Sequence, residues 1–251
     1  MSDDCDHNPD WWKEAKAASL ARKQRAASTS EVQPGDAFLI VTEGTVAEIE
    51  YFEQLRCVLQ LSTVRIKVKP GEHSDPLHVI ETAAREAIKQ KRRAKRGELG
   101  LDEPEKFDHV WAVVDTDVAV RQGRWNDVVQ LAAGRKVTLV PSSPCFEFWL
   151  LLHLLYTTRA DLVDGDTAKH VLKHTLGQDY SINAEATKKA ITKLLPEWPQ
   201  AVVHAKRVIR YHQAAATPSP ANPSTEVGRL VTAMNDVAPE HLRKLKARCE
   251  R

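Results

Sequence analysis

Apolar residues in this chain come either in short unbroken runs or at every third or fourth position, and the two patterns alternate. Phe38-Leu39-Ile40-Val41 reads as a short, fully buried strand that runs into Thr42-Glu43-Gly44. The stretch after it is helical, with Thr45 as N-cap, Glu48 as its capping partner three residues on, and Ile49, Phe52 and Leu55 as the buried face. Val64 to Lys69 alternates apolar and basic residues. This predicts a half-buried strand whose cations discourage edge pairing. Asp75-Pro76 opens a helix expected to run to about Arg96, with Val79, Ile80, Ala83, Ala84, Ala87 and Ile88 facing the core. Val110 to Val114 is another buried strand and ends in Asp115-Thr116-Asp117. A helix from Trp125 to Ala133 and a strand from Lys136 to Val140 follow. Ser143-Pro144 then reads as the cap and first turn of a helix through His153 that is apolar nearly all round. Beyond residue 157 the pattern predicts helices without strands: Ala184 to Leu195, Ala201 to Gln213, and Glu226 to Asn235 after a turn at Asn222-Pro223-Ser224-Thr225.

Alternating strands and helices imply right-handed crossovers and a mainly parallel sheet. The expected organisation is a basic N-terminal arm over 1–34, an α/β core over 35–156, and a helical extension over 157–251 packed on that core. The arm carries Trp11 and Trp12 among Lys13, Lys16, Arg22, Lys23 and Arg25, and is read equally well as a mobile basic arm with some helix or as an arm that binds nucleic acid or a partner. Composition is that of an ordinary globular protein, with 42% hydrophobic and 28% charged residues. No apolar run approaches the roughly 20 residues that span a bilayer, and the acidic N-terminus lacks the layout of a secretory signal. Four scattered cysteines without a paired spacing predict neither a zinc ribbon nor a disulfide framework, so a reducing cytoplasm is the expected compartment. His170 and His174 share a helical spacing but lack the glutamate of a metalloprotease motif, and are expected to be surface or packing residues.

The net charge of +2 does not itself call for nucleic acid, but its distribution is uneven. Lys89, Lys91, Arg92, Arg93, Lys95 and Arg96 crowd the end of one helix, more cations than its dipole needs, and are expected to contact a phosphate backbone. The acids are arranged differently. Glu43 after one buried strand and Asp115 and Asp117 after another fall at one sheet edge, where open α/β sheets bind ligands. Asp115 and Asp117, two apart, would point to one face of a continuing strand and reach one ion. Such oxygen donors suit Mg²⁺ or Mn²⁺ and hence phosphoryl transfer or phosphodiester hydrolysis. Glu147 in its apolar helix needs a partner, either as a core salt bridge or as a fourth acid at this edge.

Four blocks in order resemble the RloB family: Phe38 to Phe52, Val110 to Asp117, Ser143 to His153, and Asn222 to Thr225. That family is similar to TOPRIM domains, so the resemblance implies a TOPRIM-like three-layer α/β domain with a metal site at Glu43, Asp115 and Asp117. Glu48 is a possible further ligand, as in related TOPRIM nucleases, while the Pro144 to His153 block belongs to the RloB pattern alone. The resemblance further implies a Mg²⁺-dependent nuclease acting on nucleic acid, with RNA such as tRNA as an expected substrate. Its place would be as the toxin-like effector of an abortive-infection, antiphage system with an AAA/ABC-type ATPase partner. The alternative is a non-catalytic nucleic-acid-binding or adaptor subunit relying on the basic run over 89–96 and on the N-terminal arm. A nucleotide-sugar transferase using Asp115-Thr116-Asp117 leaves Glu43 without a role, and a nucleophile at Ser142 or Ser143 lacks its surrounding motif.

Overall fold

The computed structural model describes residues 35–62, 65–177, 180 and 183–245. The N-terminal arm, with Trp11 and Trp12, lies outside the described residues. The chain forms a three-layer α/β domain with a mainly parallel sheet and a helical C-terminal part. The strands are β1 (Phe38–Thr42), β2 (Ile66–Pro70), β3 (His109–Asp115), β4 (Thr138–Ser143) and β5 (Ser224–Thr225). They lie in the order β2-β1-β3-β4-β5, with the first four parallel and β5 antiparallel to β4.

The helices are α1 (Ala47–Val58), α2 (Pro76–Lys95), α3 (Asp117–Arg121), α4 (Trp125–Arg135), α5 (Phe146–Leu151), α6 (Gly165–Leu176), α7 (Ala184–Leu194), α8 (Trp198–Ala214) and α9 (Val227–Val237). Side chains alternate across the strands and divide the core in two. Leu39, Val41, Ala112, Val114 and Leu139 face α2 and α4. Phe38, Ile40, Trp111, Val113 and Val140 face α1, α5 and the C-terminal helices, which share one apolar core with them.

Several local expectations are met. All five residues of β1 are buried. The alternating apolar and basic strand is the sheet edge, and its Lys67 and Lys69 approach Glu86 at 3.7 and 3.3 Å. Asp75 caps α2 by accepting the Leu77 amide at 2.9 Å, with Pro76 in the first helical position. All six residues of α5 are buried.

Others are corrected. Helix α1 begins after Val46 with no capping side chain, and Thr45 is exposed. Its core face is Glu48, Tyr51, Phe52 and Leu55, with Ile49 only partly buried. Ile88 is 51% exposed, because it lies on the side of α2 that lines a groove with Glu81, Arg85 and Arg92. Asp117 opens the unforeseen helix α3 instead of continuing β3. Ser143 ends β4, Pro144 follows a cis peptide bond, and α5 starts only at Phe146. The expected turn at Asn222 to Thr225 contains β5: Ser142 and Ser143 pair with Thr225 and Ser224, and the Ser142 and Thr225 hydroxyls bond at 2.8 Å. The Ser143 hydroxyl donates to Asn222 Oδ1 at 3.1 Å, so both serines tie β4 to the segment that contains β5. Helix α6, absent from the pattern-based reading, is capped by Asp164, which accepts the Thr167 amide at 2.8 Å.

Candidate active site

The crossover after β1 leads outward to β2, while the crossover after β3 leads the other way to β4. The gap between the carboxyl ends of β1 and β3 is therefore a switch point, where the connections part and leave a crevice. Glu43 stays in register there, with its amide donating to Val113 O at 3.0 Å. Its side chain reaches across the gap, and Oε2 accepts the Asp115 amide at 3.1 Å. Asp115 ends β3 opposite Ser142, and its Oδ1 accepts the Phe146 amide at the start of α5, at 2.9 Å. Asp117, one step into α3, accepts its neighbour Val118's amide at 2.7 Å and the Gly165 amide of α6 at 3.4 Å. The two aspartates thus leave the strand by different routes, yet both remain close enough to act electrostatically on Glu43 or on each other.

Two more carboxylates stand behind these three. Glu48, 6% exposed, folds back so that Oε1 accepts the Gly44 amide at 3.0 Å. Glu147, 8% exposed, accepts a hydrogen bond from the Tyr180 hydroxyl at 3.3 Å. Among the described residues it is not held in a core salt bridge of the kind the sequence left open. Burial raises the Glu43 carboxyl to about 7, with a smaller upward push from Glu48, Asp117 and Asp75. Burial likewise raises Glu48 to about 7, with Glu147 adding to it. Asp115 keeps part of its surface open, but the protein closes around it, and desolvation plus four neighbouring carboxylates raise it well above the usual range.

Gly44 makes this packing possible. A Cβ at that position would stand 2.0–2.4 Å from the Glu48 carboxylate. Gly44→Ala is therefore expected to expel that carboxylate from its amide and drive it toward its acidic neighbours, costing about 2 kcal/mol in stability. Thermal unfolding of metal-free protein at neutral pH measures this; an unchanged midpoint would contradict the packing.

Sequence reasoning missed the surroundings supplied by α6 and its neighbours. A Cβ on Gly165 would lie 3.4 Å from Asp117 Oδ2, so α6 packs directly on the cluster. One turn on, Lys169 lies on the same helix face. Partial burial works against its ammonium, but Glu147, Asp115 and Asp166 hold its pKa above the usual value. Tyr180 and the buried Cys145, whose thiol is raised by burial and by Glu147, complete the wall. His153 has protein partners for both ring nitrogens. Burial lowers it to about 4, its Nε2 lies 3.1 Å from the Tyr51 hydroxyl, and its Nδ1 lies 3.1 Å from Trp149 O. His170 and His174 are exposed on α6.

The structure does not bring the basic run to this site. Asp75, at the head of α2, is among the charges acting on Glu43. Lys89 is thirteen residues after Pro76, about 20 Å down the helix toward the opposite sheet edge. There Arg93 pairs with Glu103 at 2.8 Å and Arg96 with Glu98 at 3.7 Å. Lys89, Arg92, Arg93 and Arg96 line a groove of about 780 Å³ together with Glu81 and Glu98. Lys91 and Lys95 are exposed beside it.

The family model described as RloB-like protein matches residues 38–234. The chain belongs to the RloB-like family. That span runs from the first residue of β1 to within α9, so the carboxylate crevice and most of the helical part lie inside it. No curated protein and no solved structure matches this RloB-like chain. No helix among the described residues is long and apolar enough to cross a membrane.

The donor set at the crevice is all oxygen, and Lys169 is the cation that the crowded carboxylates meet from α6. This fits a hard divalent ion. Among the described residues no three His, Cys, Asp or Glu side chains form a ready-made cage. Mg²⁺ in particular commonly takes one or two carboxylates and completes its shell with water and substrate phosphate oxygens.

Proposed function

We propose that this RloB-like protein is a Mg²⁺- or Mn²⁺-dependent phosphodiesterase of TOPRIM type that cleaves nucleic acid. The observation carrying the proposal is the set of Glu43, Asp115 and Asp117 at a sheet switch point, with Glu43 and Asp115 raised by burial and mutual repulsion. Glu43, Asp115 and Asp117 would hold the ion, with Glu48 and Glu147 behind them. A divalent ion there supplies Lewis acidity toward a phosphate oxygen and toward water. Glu43 has the pKa of a carboxyl that exchanges a proton near neutrality. Its Oε2 is engaged by the Asp115 amide, so Oε1 is the atom that would carry that proton. Lys169 would offset phosphate charge from the α6 side. Family membership supports the broader setting: an effector of bacterial antiphage, abortive-infection defence, acting on RNA such as tRNA and controlled by an AAA/ABC-type ATPase.

Metal binding tests the proposal without needing substrate or activator. Mn²⁺ titrated calorimetrically into the protein is expected to bind, and Asp115→Asn is expected to lose that binding while keeping its fold. Equal binding by both would place the ion elsewhere. No binding by either would favour the adaptor reading, in which the crevice does no chemistry.

A further inference from the structure

Helix α8 presents a surface that none of the preceding assignments uses. No aspartate or glutamate occurs from Trp198 to Thr225. The inner face of α8 buries Trp198, Ala201, Val202, Ala205 and Val208. Its outer face carries Val203, Lys206, Arg207 and Arg210 at helical spacing, all exposed, with Tyr211 half exposed beside them. Among the described residues none of the three cations is ion-paired. The Arg207 guanidinium instead lies over the Tyr156 ring, 3.9 Å from its centroid, and the His204 ring stands 6.2 Å from the same tyrosine.

The two basic regions of the chain therefore differ in kind. The end of α2 is laced with glutamates that take up part of its charge. The face of α8 keeps its charge and sets it next to stacked planar groups. An arginine over an aromatic ring is a flat platform for a nucleobase, and flanking cations suit the phosphates on either side. An acidic protein segment would use the cations but would gain little from the stack.

We propose that the outer face of α8, through Lys206, Arg207, Arg210 and Tyr156, binds single-stranded nucleic acid. The chain runs from the carboxylate crevice to this surface by way of α5. Glu147 lies in the first turn of that helix, and Tyr156 follows its end by five residues. As a substrate-holding surface, the face deepens the phosphodiesterase reading and rests on it for its role. Its binding of nucleic acid can be measured separately.

The test uses the full chain in EDTA, so that neither metal nor cleavage contributes, and follows fluorescence anisotropy of labelled oligo(U) and oligo(dT) across a range of salt. The double variant Arg207→Glu/Arg210→Glu is expected to bind at least about tenfold more weakly. Its log–log salt slope should fall by about 1.4, as for two lost single-strand phosphate contacts. Tyr156→Ala is expected to weaken binding several-fold with little change in slope, and Tyr156→Phe to restore it. Because chelator is present throughout, loss of binding here is read independently of the metal site. Thermal unfolding confirms that each variant is folded. The proposal is overturned if the charge-reversed protein keeps the wild-type affinity and slope, or if the wild type binds neither oligonucleotide. It is also overturned if Lys91→Glu/Arg92→Glu on α2 alone abolishes binding, or if poly-glutamate displaces the strand as well as an unlabelled oligonucleotide does.

Discussion

Asp115→Asn is expected to lower metal-dependent hydrolysis by about 10³-fold or more while leaving the fold intact. Loss of a ligand from a divalent ion removes several kcal/mol of charge stabilisation, and each 1.36 kcal/mol corresponds to a factor of ten in rate. The structural cost is small for a reason specific to this position. Asparagine keeps the size of the side chain, and its carbonyl oxygen can still accept the Phe146 amide that Asp115 Oδ1 now accepts at 2.9 Å. Desolvation and four neighbouring carboxylates already oppose the charge on Asp115, so removing it relieves repulsion in the metal-free protein. The metal-free variant should therefore unfold at or above the wild-type temperature. Added Mn²⁺ should raise the midpoint of the wild type only, because a ligand stabilises only the state that binds it. Wild-type cleavage rates in the variant would remove Asp115 from the chemistry.

The metal-free protein is also expected to be more stable at pH 5 than at pH 8, the reverse of ordinary acid denaturation. Glu43 has a folded pKa of about 7 against an ordinary value of 4.5. Between these values the folded state holds a proton that the unfolded chain has released, so stability falls as pH rises through the window. Below about 4.5 both states are protonated and the penalty vanishes; above about 7 it is fully present. For Glu43 alone the penalty is about 3 kcal/mol. Glu48 acts in the same direction over the same window. Glu43→Gln should flatten part of the slope, since it removes one of these protons. Saturating Mn²⁺ should flatten it further, because ion binding favours the ionised carboxylates. The measurement is the unfolding midpoint in chelator from pH 4.5 to 8.5, with and without metal. A midpoint that rises with pH across this range would mean that the carboxylates are not crowded in the folded protein.

Much of the fold follows from local signals. The buried runs at Phe38 and Val110, the Asp75-Pro76 helix start and the apolar helix behind Pro144 each rest on interactions within a few residues, or on plain burial. The mainly parallel sheet follows from the alternation of these elements. Expectations failed where a compositional signal met a competing contact, whether near in the chain or far along it. Thr45 had the composition of a cap, but the Glu48 carboxylate is drawn inward onto the Gly44 amide instead. Asn222 to Thr225 had the composition of a turn, but part of it completes the sheet beside Ser142 and Ser143, about eighty residues earlier in the chain.

The candidate site divides in the same way. Sequence alone placed Glu43 and Asp115 together, because parallel strands deliver their ends to one edge and both acids end buried runs. It marked Glu147 as a carboxylate in need of a partner. Only the tertiary structure decided that Glu48 and Glu147 stand behind those two, and that Asp117 turns away into α3 toward Gly165. The contribution of α6, with Lys169 facing the acids, was likewise settled only there. Only it could show that the basic end of α2 belongs to another part of the molecule. A helix returning from one sheet edge carries its last turns about 20 Å from its first, so cations that composition counts with the acids are separated from them by the height of the sheet.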